Sequence, residues 1–481
     1  MKRRRWFEVH GWLGVTAGLL LFVICWSGTV AVLAHEIDWL LEPHQRVEPR
    51  GGPVQWRRMQ AAMEKEFPDA ESMTLHAPMH PWAAAHAVVD TPTQKMQRVY
   101  LDPCSGVVLG KTSYFNVQRF FRSLHMSLFD FGTGRMWGYW FVGGFSLVLL
   151  AMTLTPLVFY WRWWRGFLTL KTHRGGRVFW SDAHKLAGVW SLPFALLVAL
   201  TAAWYLVEFF DVSLGYPERA PVENAQAAAP LPLDEVVAKA RAAWPALRVG
   251  AVTPAKGSHW GEVVHVQGQA EAWLVRDRAN YMMLDPATGT ALRRQAATQL
   301  RWPARWVDTA DPLHFGNFGG LWTKLPWFLF GLLLSALPLT GAYLHVQRLH
   351  ASARARWIGT GASVALAAVV LGAAAWGAWR ELLQYGPVVE GVQRLPPVPL
   401  PTAAFVAGWT LLTLAILCIW AWCVLRAPRR SLSRSASASA RPNRDGAEDE
   451  PVEAARPFGG GWRGDAHMHR HCPPASEPPP L

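Results

Sequence analysis

Histidine side chains stand beside several long apolar segments of this 481-residue chain. His10, His35 and His184 lie at the ends of such segments, and His125 and His314 shortly precede two others. An ionisable group at membrane depth is costly and usually faces a cavity, a partner or a cofactor. A non-covalent haem needs one or two imidazoles whose Nε2 atoms face the iron, usually from different helices. These five histidines are therefore candidate haem ligands, and the alternative is that each is an interfacial residue with its polar tip among lipid headgroups.

Four of these histidines recur in an internal repeat. Residues 9–14 open the first apolar segment as residues 183–188 open the third, and a Leu-His pair precedes both the second and the fourth. The repeat pairs His10 with His184, which we expect near the cytoplasmic face. It also pairs His125 with His314 near the outer face. His35, at the outer end of the first segment, is an alternative ligand for a haem there. His345, at another segment end, and His173 have no counterpart in the repeat and are interpreted as interfacial residues.

The elements that must position these side chains are membrane spans. Half of the chain is apolar and only 17% is charged, against about 25% in ordinary soluble proteins. Six uncharged stretches are each long enough to cross a bilayer, and we expect the first to be retained as a span, the alternative being a cleavable signal peptide. The stretches are Gly11–Ala34, Trp137–Trp161, Leu186–Val207, Leu325–Leu344, Ile358–Trp379 and Pro401–Leu425.

The placement of basic residues predicts the orientation. Lys and Arg crowd the start of the chain, the second and fourth connections and the tail, whereas the long first and third connections mix both signs. By the positive-inside rule both termini are cytoplasmic, and two segments of about 100 residues face outward. Because the basic residues lie beside span ends, the net charge of +13 indicates contact with membrane lipid and no nucleic-acid partner.

Each outer segment predicts a small module, a helix followed by a hairpin. The helices are expected at Val54–Phe67 and Pro232–Trp244, and the hairpin turns at the two Asp-Pro-x-Ser/Thr-Gly runs, 102–106 and 285–289. The predicted organisation is span 1 (1–35), outer module 1 (36–136), span 2 (137–161), a basic cytoplasmic loop (162–185), span 3 (186–208), outer module 2 (209–324), span 4 (325–345), a cytoplasmic loop (346–357), span 5 (358–383), an outer loop (384–400), span 6 (401–425) and a disordered cytoplasmic tail (426–481).

Over residues 6–350 the chain resembles the PepSY-associated transmembrane family. The resemblance is carried by residues 10–14, by Glu36 and Asp38, by the two Asp-Pro turns and by the two Leu-His pairs. It implies a mainly α-helical polytopic fold, with a four-helix core built from a two-fold repeat, two additional C-terminal spans and two small α+β PepSY-like periplasmic modules. It also implies a role in bacterial iron acquisition, since some members are inner-membrane ferric-siderophore reductases holding two b-type haems.

The leading hypothesis is therefore a transmembrane electron conduit with two non-covalent b-type haems, held by His10, His184, His125 and His314. Electrons from a quinol or a cytoplasmic reductase would reduce a periplasmic ferric siderophore. The alternative is a non-redox anchor whose modules bind a periplasmic protein. A transporter is disfavoured, because we expect no buried charged residue in the spans, with Glu208 and Glu381 at span ends.

Other motifs are weaker. No GxGxxG follows a predicted strand, so no flavin or nicotinamide site is visible, and we found no catalytic nucleophile or paired carboxylates. Cys104 is a reactive thiol or a tolerated turn substitution. The tail residues His467, His469, His471 and Cys472 could bind a borderline metal, although a solvated tail is favoured. The remaining histidines of the outer segments are expected at the surface; they are His44, His76, His80, His86, His259 and His265.

Overall fold

The computed structural model describes residues 3–168, 170–172, 175–210, 214–219, 221, 229–256, 258–348 and 353–425. The helices in this part are α1 (Arg3–Ala31), α2 (Ala34–Leu41), α3 (Trp56–Glu66), α4 (Val117–Ser127), α5 (Trp137–Phe159), α6 (Gly176–Glu208), α7 (Leu233–Ala243), α8 (Trp302–Phe315), α9 (Leu321–Arg348), α10 (Ala353–Gln384) and α11 (Leu400–Leu425). Six of them, α1, α5, α6, α9, α10 and α11, are long and apolar enough to cross a membrane. The chain is therefore a mostly helical, multi-pass membrane protein. The tail, its metal-ligand candidates and His173 lie outside the described residues.

A four-helix core is formed by α1, α5, α6 and α9. Helix α1 packs against α5 and α9, and α6 packs against the same two helices, so α1 and α6 stand diagonally across the core. Small residues allow the close approach: a Cβ added to Gly331 would lie 2.7 Å from Thr29 Oγ1. The Thr29 and Ser335 hydroxyls, 3.1 Å apart, add a hydrogen bond between α1 and α9.

The last two spans pack outside this core. The indole nitrogen of Trp26 in α1 donates to Thr413 Oγ1 at 3.0 Å, and that of Trp420 donates to the Leu339 carbonyl at 2.9 Å. Both bonds attach α11 to the core. Helix α10 contacts α1 as well, but its most extensive packing is with the chain that follows α4.

Outside the spans lies one antiparallel sheet of eight strands, in the order β4-β3-β2-β1-β5-β6-β7-β8. The segment between α1 and α5 supplies the first four strands, and that between α6 and α9 supplies the last four. β1 and β5 join the halves, with Leu75 opposite Val252. The strands are β1 (Ser72–His76), β2 (Ala85–Asp90), β3 (Gln97–Leu101), β4 (Val108–Thr112), β5 (Arg248–Thr253), β6 (Val264–Gln269), β7 (Tyr281–Leu284) and β8 (Ala291–Gln295), with a separate hairpin of β9 (Val388–Val389) and β10 (Val392–Gln393) between α10 and α11.

The two faces of the sheet differ. Helices α3 and α7 cover one face with fully buried side chains that include Trp56, Met59 and Trp244. The other face carries polar side chains such as Arg98, whose charge acts on His35 and Asp38 of α2. The sheet therefore turns a polar surface toward the short helices that lead into the spans.

The two Asp-Pro turns have the geometry that their pattern predicts. Asp102 Oδ1 accepts from the backbone nitrogens of Cys104 and Ser105, and Asp285 repeats this arrangement with residues 287 and 288. Gly106 closes the first turn with a φ of +76°, a conformation that side chains disfavour.

Asp38 holds the N-terminus of α4. Its two carboxylate oxygens accept from the backbone nitrogens of Val117 and Gln118, each at 2.9 Å, while Asn116 caps the nitrogen of Arg119. The first N–H groups of a helix have no partner within it, and a carboxylate there also meets the positive end of the helix dipole. Burial raises the pKa of Asp38 to about 6, in spite of the two backbone hydrogen bonds and the nearby Arg98, which lower it.

A left-handed turn follows α4. Leu128, Phe129, Asp130 and Phe131 all have φ between +48° and +57°, a conformation that costs about 1–2 kcal/mol per non-glycine residue. The Asp130 carboxylate stabilises it by accepting from the backbone nitrogens of residues 136 and 138, at 3.0 and 2.8 Å. We refer to residues 128–132 as the left-handed turn.

Several expectations need correction. The hairpin expected in each outer segment is one part of a four-stranded half-sheet, and the halves form a single sheet. Helix α6 begins at Gly176, inside the expected basic loop, because the residues before the apolar stretch continue the helix. The expectation that the spans hold no buried charge is wrong, since Glu381 in α10 is only 8% exposed. His265 is buried rather than at the surface, and His76 and His86 are half-buried with rings stacked 4.5 Å apart.

The raised pKa of Asp38 should make the stability of the folded protein depend on pH. Because the folded protein retains a proton up to about pH 6 that the unfolded chain loses near pH 4, the contribution of Asp38 falls as pH rises through that window. Asp38→Asn removes this titration. The unfolding free energy of wild type minus that of the variant should fall by about 3 kcal/mol between pH 4 and 6.5 and stay constant above. Denaturant unfolding in detergent, followed by circular dichroism, measures it, and a pH-independent difference would contradict the assigned burial.

Candidate functional site

Two histidines lie at the end of the four-helix core that is farther from the sheet. His10 in α1 and His184 in α6 stand on diagonal helices and line one cavity of about 420 Å³. The rest of its lining is mostly apolar and comes mainly from the four core helices. We call His10 and His184 the sheet-distal pair.

Hydrogen bonds to neighbouring helices determine the tautomer of this pair. His10 Nδ1 lies 2.9 Å from Thr155 Oγ1 in α5, and His184 Nδ1 lies 2.9 Å from Thr340 Oγ1 in α9. Each threonine hydroxyl already donates its single proton to a carbonyl four residues earlier in its own helix, at 2.8 Å. Toward histidine it can therefore only accept, so Nδ1 carries the proton and Nε2 the lone pair.

The other two histidines lie near the end of the core below the sheet. His125 and His314 come from α4 and α8, and their ring centroids are 6.0 Å apart. Both line a second cavity of about 210 Å³ between the four core helices. A Cβ added to Gly28 would lie 2.5 Å from His125 Cε1, so the glycine in α1 provides the space for this ring. We call His125 and His314 the sheet-proximal pair.

The tautomers of the sheet-proximal pair are determined in the same way. His125 Nδ1 lies 2.8 Å from the Ile24 carbonyl, which can only accept. His314 Nδ1 lies 2.8 Å from Thr201 Oγ1, whose proton goes to the Leu197 carbonyl. Burial lowers the pKa of His125 below its ordinary value, and burial together with His125 lowers that of His314 to about 3. Both rings are therefore neutral, the form in which imidazole binds metals.

The two cavities adjoin within the core. Leu21, Leu149 and Leu334 line both of them. His10 and Ile24, the α1 residues at the two pairs, are separated by about 21 Å along the helix. The pairs are thus stacked along the direction in which the spans run.

A third cavity, the vestibule, lies between the sheet-proximal pair and the sheet. It measures about 850 Å³ and is lined by parts of α2, α4, α8 and residues 269–277 before β7. His125 and Arg122 line both the vestibule and the sheet-proximal cavity, so the two cavities adjoin at these side chains. Three of the charged side chains of the vestibule form ion pairs: Arg276 binds Asp311 at 2.8 Å, and Lys324 binds Glu36 at 2.7 Å.

His35 lies in the vestibule wall and does not line the sheet-proximal cavity. Its ring is accessible from the vestibule although it is enclosed by protein. This enclosure, with Lys324, Arg98 and Arg122 nearby, lowers the pKa of His35 to about 3. The structure therefore groups His125 with His314, and places His35 beside them at the vestibule. His345 packs on Gly11 and on the ring of Trp12, close to His10.

Helix α8, which carries His314, is anchored by an ionic network. Arg276 binds Asp308 at 2.7 Å and Asp311 at 2.8 Å, and Arg278 binds Asp308 at 2.8 Å. Tyr205 in α6 donates to Asp311 at 2.8 Å and packs edge-on against the His314 ring. This network joins the sheet, α8 and a core span around one histidine.

The partners of the histidines were missed by sequence reasoning. Sequence reasoning did not pair Thr155 or Thr340 with a histidine, yet each lies toward the C-terminal end of its span and each contacts a histidine of the repeat. A threonine that recurs opposite a recurring histidine is the signal that could have identified them. The Ile24 carbonyl carries no such signal, since every residue has one.

Each pair offers a metal ion two imidazole nitrogens. Two metal–imidazole bonds of about 2 Å each place ring centroids about 6 Å apart, which is the spacing of the sheet-proximal pair. Among the described residues no group of three or more His, Cys, Asp or Glu side chains is placed to hold a metal ion. A metal in either cavity would have to bring its other ligands with it, as the iron of a porphyrin does. The residues present fit such a group.

Comparison with known proteins identifies one family. The family described as PepSY-associated TM region matches residues 7–348, which includes both histidine pairs and the sheet. An uncharacterized protein of Pseudomonas aeruginosa is 26% identical over 258 residues, covering 47% of this chain. The chain matches 62% of that relative's length.

The tautomer assignment can be tested without any cofactor. Thr340→Val removes the acceptor for His184 Nδ1, and the loss of this hydrogen bond should cost about 1 kcal/mol. We expect the ¹⁵N chemical shifts of His184 to show Nδ1–H alone in the wild-type protein and to change in the variant, with a lower thermal stability. Thr410→Val is the control, because Thr410 bonds its own helix and faces outward. Unchanged His184 shifts in Thr340→Val would refute the assignment.

Proposed function

This chain belongs to the PepSY-associated transmembrane family, and from that premise we propose that it is a haem-b-containing electron conduit of the bacterial inner membrane. It would reduce a periplasmic ferric complex, such as a ferric siderophore, and release the iron as Fe(II). His10 and His184 hold one haem, and His125 and His314 hold the second. Both termini are cytoplasmic and the sheet is periplasmic, in agreement with the positive-inside rule.

One observation supports the proposal most strongly. Four histidines reach the core of a membrane bundle in two pairs, and each has its Nδ1 proton bonded to a different helix. Holding the second ring nitrogen is how proteins orient metal-binding imidazoles. An anchor would gain nothing from burying four imidazoles in this way, because each buried polar group has a desolvation cost.

A haem bound in each cavity supplies a one-electron carrier. The protein would bind the carriers and exclude water from the space between them. Each pair of imidazoles would hold one haem from two different helices, and Leu21, Leu149 and Leu334 lie between the cavities, where they exclude water. The surroundings of the sheet-proximal pair keep His125 and His314 neutral, the form of imidazole that binds metals.

The vestibule is the place where a ferric complex would meet the sheet-proximal pair. Its volume of about 850 Å³ falls within the range of small-molecule sites. Siderophores hold Fe(III) through hard oxygen ligands, and a single electron converts it to the softer Fe(II), which these ligands bind more weakly. Reduction in the vestibule would therefore loosen the complex without hydrolysis of the carrier.

We further infer a two-fold internal repeat. In each half a span is followed by a short helix, four strands, a histidine-bearing helix and a second span. The half-sheets are then the two PepSY-like modules, joined through β1 and β5. The electron donor is a separate quinol or cytoplasmic reductase, which would deliver electrons first to the haem held by the sheet-distal pair.

The alternative function is a non-redox anchor that binds a periplasmic protein. It is favoured by the form of the sheet, which ends in β4 and β8. Edge strands are surfaces on which an extended segment of another protein can pair.

Haem content distinguishes the two functions. Purified protein, expressed with haem in supply, should contain about two b-type haems per chain, one for each pair, by the pyridine haemochrome assay. His184→Ala and His314→Ala should each remove about one haem, from different sites with different reduced-minus-oxidised spectra. His259→Ala, an exposed histidine, is the control and should change neither the content nor the spectrum. A colourless wild-type protein would refute the conduit and leave the anchor.

Access through the vestibule gives a separate test. Gln118 lines the vestibule, so Gln118→Trp adds bulk at its wall. Reoxidation of the reduced protein by a bulky ferric siderophore should slow by about tenfold, equivalent to about 1.4 kcal/mol. Reoxidation by ferricyanide, a small oxidant, should be unaffected, and Gln60→Trp on α3 serves as the control. Equal slowing by both oxidants would contradict entry through the vestibule.

A further inference from the structure

Helix α4, which carries His125, is bound from the side by the fifth span. Glu381 in α10 accepts from Arg119 Nε at 2.6 Å and from Ser123 Oγ at 2.7 Å. Arg119 and Ser123 are one turn apart, so the carboxylate binds two successive turns on one side of α4, and the second of them lies two residues before His125. Residues 349–481 lie beyond the match to the family, and Glu381 is therefore a feature of this chain's additional spans.

Because this contact is buried, it favours one separation between α4 and α10. Glu381 is 8% exposed and the Arg119 side chain is 23% exposed, so water competes little for either group. A buried carboxylate that lost its partners would remain desolvated and uncompensated. The pair therefore holds α4 and α10 at one separation, whereas an exposed ion pair would tolerate several.

The left-handed turn provides a second contact between the same elements. A Cβ added to Gly377 of α10 would lie 2.8 Å from both the Phe129 carbonyl oxygen and the Gly132 nitrogen. Only a glycine in the span permits this approach. The turn begins three residues after His125, so α10 supports the helix on both sides of the ligand.

The chain after α10 continues the contact up to the sheet. The backbone nitrogen of Val388 donates to the Thr93 carbonyl, and Gln94 Nε2 donates to the Tyr385 carbonyl, both at 2.8 Å. The Arg119 guanidinium also lies over the rings of Tyr114 and Tyr385, 5.7 and 5.6 Å from their centroids. Arg119 is therefore contacted by the fifth span through Glu381, by the loop after it through Tyr385, and by the segment after β4 through Tyr114.

The two members of the sheet-proximal pair are supported differently. His314 is supported by Arg276 and Arg278 from the second half of the sheet. The corresponding support for His125 comes from Asp38 at the N-terminus of α4 and from Glu381 at its side. In the second half, the arginines that bind α8 precede β7 of the sheet. In the first half, the fifth span provides the side contact to α4 through Glu381.

We propose that Glu381 is a positioning residue for His125, and that the fifth span acts as a clamp, formed by Glu381 and Gly377, which sets the orientation of this imidazole toward its metal. The proposal rests on the proposed function, because it concerns the ligand geometry of the sheet-proximal haem. It gives the fifth span, which lies beyond the match to the family, a role at the site.

The test compares Glu381→Gln with Glu390→Gln, a change of an exposed carboxylate in the loop that follows the same span. In haem-loaded protein, Glu381→Gln should rotate His125 and so change the low-spin EPR signal of one haem, while the signal of the sheet-distal haem remains. In haem-free protein, amide hydrogen exchange in residues 117–127 should be about tenfold faster. Glu390→Gln should leave both measurements unchanged.

Further variants keep the test decisive if Glu381→Gln does not accumulate. Ser123→Ala removes one hydrogen bond and retains the ion pair, so it should give a smaller change of the same EPR signal. Gly377→Ala should separate α10 from the left-handed turn and act in the same direction. Wild-type protein without haem overturns the proposed function. Wild-type protein with two haems, whose signals and exchange are the same in all three variants, overturns the clamp alone.

Discussion

The structure depends on one constraint, which is that an imidazole inside a membrane bundle must give its N–H to an acceptor on another helix. Water is absent at that depth, and an unbonded donor costs several kcal/mol. His10 and His184 meet this constraint through threonines whose hydroxyl protons are already committed to their own helices. The bonds join α1 to α5 and α6 to α9, so the same interactions that satisfy the histidines also hold the four-helix core together. Tautomer, ring orientation and helix pairing are therefore consequences of one set of contacts.

The sheet-proximal pair meets the same constraint from outside the spans. His125 and His314 reside on short helices that do not cross the membrane, and such helices have little stability of their own. Each is held at several points: Asp38 at the N-terminus of α4, and the arginines of the sheet on α8. The eight-stranded sheet is thus more than a surface domain, because it fixes the two helices that place these rings 6.0 Å apart.

The sequence predicted the elements better than it predicted their contacts. The six apolar stretches and the two Asp-Pro turns are local patterns, and each corresponds to an element of the structure. The pairing of His125 with His314 followed from the repeat alone. Joining β1 to β5 could not be predicted, since two hairpins leave their edge strands free to pair in several ways. Glu381 was placed at a span end, and its burial depends on Arg119, which is 262 residues away. Contacts of this kind are decided by packing and leave no pattern in the local sequence.

The two cavities differ in a way that gives the proposed conduit a direction. The sheet-distal cavity is lined mostly by apolar side chains and shares no lining residue with the vestibule, whereas the sheet-proximal cavity adjoins the vestibule at His125 and Arg122. A solute that enters from the side of the sheet therefore reaches one pair and not the other. The size of the vestibule, about four times that of the cavity below it, allows a bulky complex to approach that pair while the leucines between the cavities keep water from the rest of the path. An electron acceptor is then selected by its access to the vestibule, and the histidine pairs need no selectivity of their own.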